Sequence, residues 1–301
     1  MANPRFDGSG VALITPFDNS GVNEAVLVDL VEFHIESGTD ALIICGSTGE
    51  AAAMTPEEQY RAALVAVQAN RGRIPIVVGC GGTDTRAVCQ LGAQARRAGA
   101  DAVLLSSPPY NKPPQRGLID HFRAVMDAAE LPAILYNVPG RTSVNILPET
   151  IATLAEDERV IGVKEASSDI VQIAEVARVA GDRIALYSGN DDQVVPILSL
   201  GGRGVISVLG NVAPAQTSRM VHAWLEGALQ ESLDLQLRLL PLIRALFAES
   251  NPIPVKTAVG WLGFDVGELR QPLCAADPAK QQHVIAAMQE AGIAPRMQAA
   301  T

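Results

Sequence analysis

Short runs of β-forming apolar residues recur along the chain at 11–15, 41–45, 75–80, 102–106, 133–137, 160–165, 184–189 and 204–208. They read as continuous apolar stretches, the pattern of strands covered on both faces. Helical signals fill the intervals. Leu27, Leu30 and Val31 share one face of the first interval, which ends near Gly38. In the second, Thr55 can cap, Pro56 suits the first helical position and Glu58 completes a capping box. Strands alternating with helices imply parallel neighbours joined by right-handed crossovers, and eight such units close into a (β/α)8 TIM barrel. The competing open doubly wound sheet lacks its glycine fingerprint, because Gly79-Cys80-Gly81 is followed by Gly82 and Asp84 without the third glycine. Helical patterns around 216–249, 254–262 and 278–291 complete the chain. The expected fold is thus an α/β barrel over residues 1–210 with a C-terminal helical region, 211–301, packed on it.

Composition narrows the class. Hydrophobic residues make up 48% of the 301 positions and charged residues 19%, enough apolar surface for one large core. The net charge of -10 disfavours a nucleic-acid partner, whose phosphates call for clustered Lys and Arg. No stretch has the length of a membrane span, and the first ten residues contain no apolar signal core, so the expected compartment is the cytoplasm. Cys45, Cys80, Cys89 and Cys274 show neither a CxxC pair nor a disulfide spacing and read as reduced thiols. His34, His121, His222 and His283 fall in helical segments without ligand spacing, so no metal and no cofactor are expected.

Barrel chemistry resides at the C-terminal ends of the strands. Of the four lysines, Lys112 and Lys256 lie in proline-rich segments and Lys280 in a polar helix, whereas Lys164 ends an apolar run. Burial there would lower its pKa and expose a neutral amine suited to imine formation. The alternative is a lysine paired with a neighbouring acid, for which Glu165, on the opposite face of the strand, is poorly placed. Gly46-Ser47-Thr48-Gly49-Glu50 follows the second strand and offers backbone N–H groups and two hydroxyls; an ordinary strand-to-helix turn would look the same. Tyr136 ends the fifth strand, where it can relay protons or simply fill the core. Arg141 follows, able to hold a carboxylate or to lie on the surface. No Gly-x-Ser-x-Gly elbow is present.

Taken together, these residues resemble the dihydrodipicolinate synthase and N-acetylneuraminate lyase superfamily. The resemblance is carried by Gly46-Ser47-Thr48-Gly49-Glu50, Tyr136-Asn137-Val138-Pro139-Gly140-Arg141-Thr142, Gly162-Val163-Lys164-Glu165-Ala166 and Gly202-Arg203-Gly204-Val205-Ile206-Ser207, in the family's order. Pro108-Pro109-Tyr110-Asn111-Lys112-Pro113 and Asn251-Pro252-Ile253-Pro254-Val255-Lys256 extend it over the chain. It implies that Lys164 forms a Schiff base with pyruvate and that Tyr136 relays protons with Ser47 and with Tyr110, the last donated by a neighbouring subunit. It further implies that Thr48 and the backbone of Ile206 contact pyruvate, with Gly189 at the mouth of the site. Arg141 points to the synthase branch, whose second substrate is aspartate semialdehyde, in lysine and diaminopimelate biosynthesis. A homo-oligomer, commonly a dimer of dimers, follows from the donated tyrosine.

Three positions depart from the usual pattern. Ser47 replaces threonine, Ala51 replaces serine, and Pro109 replaces the first of a tyrosine pair. In relatives that bind the end product lysine, a second site usually carries a carboxylate and an aromatic ring. The matching positions here, Pro56, Gln59, Thr83, Ala87 and Pro109, carry neither. The readings that compete are another aldolase or dehydratase of the same superfamily, acting on a different oxo acid or sugar acid, and a barrel that binds such ligands without turnover.

Overall fold

A computed structural model describes residues 4–296. The outer ends of the two expected regions, 1–3 and 297–301, lie outside the described residues. Eight parallel strands form a closed ring: β1 (Gly8–Ala12), β2 (Ala41–Ile44), β3 (Ile76–Cys80), β4 (Ala102–Ser106), β5 (Ala133–Asn137), β6 (Val160–Glu165), β7 (Ala185–Ser188) and β8 (Gly204–Ser207). Neighbours in sequence are neighbours in space, and β8 returns to β1 with Ile206 opposite Gly10. The barrel anticipated from the apolar runs is present. Only β1 is displaced, to 8–12 instead of 11–15: Gly8, Ser9 and Gly10 are buried although small or polar, so hydrophobicity alone does not mark them.

The helices are α1 (Glu24–Glu36), α2 (Pro56–Asn70), α3 (Thr85–Ala98), α4 (Gln115–Ala129), α5 (Pro148–Leu154), α6 (Ile170–Ala180), α7 (Val194–Ser199) and α8 (Pro214–Leu225) around the ring, followed by α9 (Leu229–Leu246), α10 (Ile253–Trp261) and α11 (Pro278–Glu290). The capping box of α2 forms as written in the sequence. Thr55 Oγ1 accepts from the Glu58 N–H at 3.2 Å, and Glu58 Oε2 accepts from the Thr55 N–H at 2.9 Å. The helical stretch expected over 216–249 is two helices, broken at Gly227, whose φ of +86° ends the first. α8 packs on β1 as the ring's eighth helix, and α9, α10 and α11 follow it.

Alternation along each strand splits the core in two. Leu42, Ile44, Val103, Leu105 and Leu135 face outward and pack under the helices. Ile43, Val77, Leu104, Ile134, Tyr136 and Ile206 fill the barrel interior. At the N-terminal end Phe6 stacks on Tyr187 with ring centroids 4.5 Å apart, and the Tyr187 hydroxyl donates to the Phe6 carbonyl at 2.7 Å. That end is closed, which leaves the opposite mouth for a ligand. No described helix is long and apolar enough to cross a membrane.

Candidate active site

A break in strand register turns Lys164 inward. Ala133 pairs with Val160 but Ile134 pairs with Gly162, so β6 carries one extra residue there. Val160 and Val163 pack outward, while Ile161 points into the barrel. Strict alternation from Ile161 would have sent Lys164 out; the bulge restores it to the interior opposite Tyr136. Glycine is required at the bulge, since a Cβ on Gly162 would stand 2.8 Å from Tyr187 Cε2. Glu165 then faces the helix layer, where Asn137 Nδ2 donates to it at 3.1 Å and the Ser167 N–H at 2.8 Å. It is no partner for Lys164.

Lys164 is 4% exposed, and its Nζ sits 4.4 Å from the centroid of the Tyr136 ring. Among the described residues it forms no ion pair. Burial lowers its pKa to about 7; the Asp191 carboxylate works against that shift, and Arg141 adds to it. The amine is therefore largely neutral near pH 8. Tyr136 is pushed above the usual tyrosine range by burial, opposed by Arg141 and by hydrogen bonding to Ser47. A cavity of about 290 Å³ opens beside Tyr136, walled by Gly46, Ser47, Leu104, Tyr136, Arg141 and Thr142.

Residues 46–50 are anchored from the far end of the chain. Thr48 Oγ1 accepts from Asn251 Nδ2 at 2.9 Å, and the Asn251 carbonyl accepts from Arg141 Nη2 at 2.9 Å. Two residues expected in the site, Thr48 and Arg141, are thus tied to one another through a third that sequence reasoning did not single out. Asn251 Oδ1 is buried and, among the described residues, has no hydrogen-bond partner. Glu50, with φ +56°, ends the loop; its carboxylate accepts from Lys256 Nζ at 2.7 Å and from the Arg270 N–H at 2.9 Å. Lys256, set aside on sequence because of its proline-rich surroundings, is therefore a second interior lysine. Unlike Lys164, it is ion-paired.

Gly189 follows β7 where the end of β6 comes close: its N–H donates to the Glu165 carbonyl at 2.7 Å, and a Cβ there would lie 2.7 Å from that of Ala166. Ile206 lies in the interior cluster with Tyr136. Tyr110 is not assembled with the others in this single chain. It is 89% exposed on the loop after β4, with φ +68°. Among the described residues no group of three or more His, Cys, Asp or Glu side chains converges as metal ligands would.

A family model, that of the dihydrodipicolinate synthetase family, matches residues 5–291. A 4-hydroxy-tetrahydrodipicolinate synthase of Thermoanaerobacter sp. is 50% identical over 291 residues, which cover 96% of this chain and 98% of the relative. The dihydrodipicolinate synthase structure from Aquifex aeolicus superposes with a TM-score of 0.94 at 38% identity, covering 97% of this chain and 100% of that one. A monomeric dihydrodipicolinate synthase variant superposes with a TM-score of 0.93 at 39% identity, covering 96% and 97%.

Proposed function

The chain belongs to the dihydrodipicolinate synthetase family, and we propose that it condenses pyruvate with aspartate semialdehyde to give 4-hydroxy-tetrahydrodipicolinate, the reaction for which its relatives are named. Lys164 attacks the pyruvate carbonyl, water leaves, and the imine loses a methyl proton to become an enamine that adds to the aldehyde. The amino group of the added substrate then closes the ring and releases Lys164. One observation carries this reading: a buried amine without an ion pair, held near pKa 7 against a tyrosine ring. Such a group is a nucleophile at neutral pH, whereas Lys256 is committed to Glu50.

In this scheme Tyr136 and Ser47 carry protons between the reacting oxygens and solvent, which the position of both on the cavity wall supports. Thr48 and the Ile206 backbone bind the pyruvate carboxylate, and Arg141, steadied by the Asn251 carbonyl, holds that of the aldehyde. Gly189 leaves room at the mouth. Tyr110 completes the relay from a neighbouring subunit of a homo-oligomer, a dimer or a dimer of dimers; its exposure on a left-handed turn supports a role outside its own chain. The protein works in the cytoplasm. Purified protein given pyruvate and aspartate semialdehyde, with product followed by a coupled reductase, should turn over. Borohydride in the presence of pyruvate alone should fix pyruvate to Lys164. Label on Lys256 instead, or turnover that survives Lys164→Ala, overturns the assignment.

A further inference from the structure

The reaction scheme uses the carbonyl of Asn251 and leaves its side chain idle. Asn251 stands between α9 and α10, is 7% exposed, and reaches the loop after β2 from the far end of the chain. Its Nδ2 donates to Thr48 Oγ1 at 2.9 Å, while its carbonyl accepts from Arg141 Nη2 at 2.9 Å. Side chain and main chain thus serve different partners, and in the reading above each partner holds the carboxylate of a different substrate. The second latch from this segment, Lys256 on Glu50, ends on a buried acid and touches neither.

A threonine hydroxyl has one proton to give and lone pairs with which to accept. Four other buried threonines, Thr15, Thr142, Thr150 and Thr217, give that proton to a carbonyl oxygen of the protein at 2.7–3.0 Å. Thr48 is as buried, at 2%, yet it accepts, and among the described residues no acceptor takes its proton. Asn251 in turn makes no other side-chain hydrogen bond among the described residues. A hydroxyl whose lone pair faces a fixed N–H turns its own proton away from that donor. The proton is then free for an arriving anion, and a hydrogen bond to a charged acceptor is roughly twice as strong as a neutral one. The Arg141 bond likewise spends one N–H of a guanidinium that has five and leaves the others for a carboxylate.

We infer that Asn251 is a positioning residue for both substrates: its amide fixes Thr48 as a hydrogen-bond donor to the pyruvate carboxylate, and its carbonyl holds Arg141 ready for the carboxylate of the aldehyde. The inference rests on the placing of pyruvate at Thr48 proposed above. Asn251 itself makes no bond to substrate. Its two tasks separate chemically, since a side-chain substitution removes the first and leaves the second.

Asn251→Ala tests this. Borohydride trapping of pyruvate on Lys164, read by intact mass, gives the half-saturating pyruvate concentration; the coupled assay at saturating pyruvate gives kcat and the KM of the aldehyde. Half-saturating pyruvate should rise about 10-fold, as when a hydrogen bond to a charged group is weakened. Both kcat and the aldehyde KM should stay within about twofold, the signature of lost ground-state binding to one substrate. Thr48→Val should weaken pyruvate at least as much, and adding Asn251→Ala to it should change nothing more, because the amide acts through the hydroxyl. Losses that multiply in the double variant, or an aldehyde KM that rises in step with pyruvate, would show mere packing of the loop and overturn the inference. If Thr48→Val binds pyruvate normally, the placing of the carboxylate at Thr48 fails and the inference with it. If Thr48→Val is weakened and Asn251→Ala is not, only the role of Asn251 is overturned. Should Asn251→Ala not fold, Asn251→Asp keeps the shape but, ionised, can only accept, so it captures the Thr48 proton. Half-saturating pyruvate should then rise about 100-fold, and by clearly less in the Thr48→Val background. A natural half-saturation in Asn251→Asp, or a rise undiminished without the Thr48 hydroxyl, refutes the inference.

Discussion

Replacing Lys256 by Met would leave a carboxylate stranded beneath the loop that carries Ser47 and Thr48. The Glu50 and Lys256 side chains are almost wholly excluded from solvent, at 0% and 2%. Lys256 Nζ serves Glu50 at 2.7 Å and the Glu268 carbonyl at 2.9 Å while standing 4.3 Å from the Phe17 ring centroid. Methionine fills nearly the same volume, so little of the effect arises from a cavity. What remains is an anion whose one hydrogen-bond donor among the described residues is the Arg270 N–H, a situation that costs about 3–5 kcal/mol when one partner of a buried pair is removed. Adding Glu50→Gln removes the charge but keeps an acceptor for that N–H, so the double variant should recover to within about 1–2 kcal/mol of the natural protein. Denaturant unfolding of the natural protein, both single variants and the double variant, at one protein concentration, provides the measurement. A loss below about 1 kcal/mol in Lys256→Met, or a double variant no more stable than that single, would refute the account of an uncompensated charge.

Trapping of pyruvate on Lys164 should decline as pH falls through about 7, because the free amine is the reacting form and burial has brought its pKa there; a limb near the ordinary lysine range would contradict this. Tyr136→Phe should lower turnover by roughly 10²–10⁴-fold while leaving pyruvate trapping in place, and near-normal turnover would remove it from the proton relay. Millimolar lysine should leave the rate nearly unchanged: Pro56, Gln59, Thr83, Ala87 and Pro109 supply no carboxylate, and Gln59 spends its amide on the Ala51 carbonyl at 2.9 Å. Partial inhibition at sub-millimolar lysine in the coupled assay would show that charged partners come from elsewhere.

The strands were legible because each is a compact apolar run with a helix behind it, and five of the eight begin at the expected residue. β1 was misplaced because burial of glycine and serine leaves no hydrophobic mark, and α8 and α9 were merged because Gly227 breaks a pattern that is apolar on both sides. The inward aim of Lys164 could not be read from periodicity at all. Val160, Ile161 and Val163 are equally apolar, and Gly162 alone hints that the run is interrupted, without showing which residue is the extra one. Asn251, Asp191 and Lys256 escaped for another reason: each owes its place to contacts made across the fold. Asn251 reaches Thr48, Lys256 reaches Glu50, and Asp191 reaches the far end of β8. Nothing in their local sequence announces a partner.

The latch on residues 46–50 also orders events during synthesis. A ribosome releases β2 and this loop early, yet β1 gains its second neighbour only when β8 emerges, and Asn251, Lys256 and Arg270 follow later still. Until then the nascent chain carries open sheet edges and a Glu50 carboxylate with no place out of water. The hydroxyls of Ser47 and Thr48 therefore gain their final setting only with the arrival of the last helices. Chains interrupted between β8 and α10 should be inactive until the missing segment is restored.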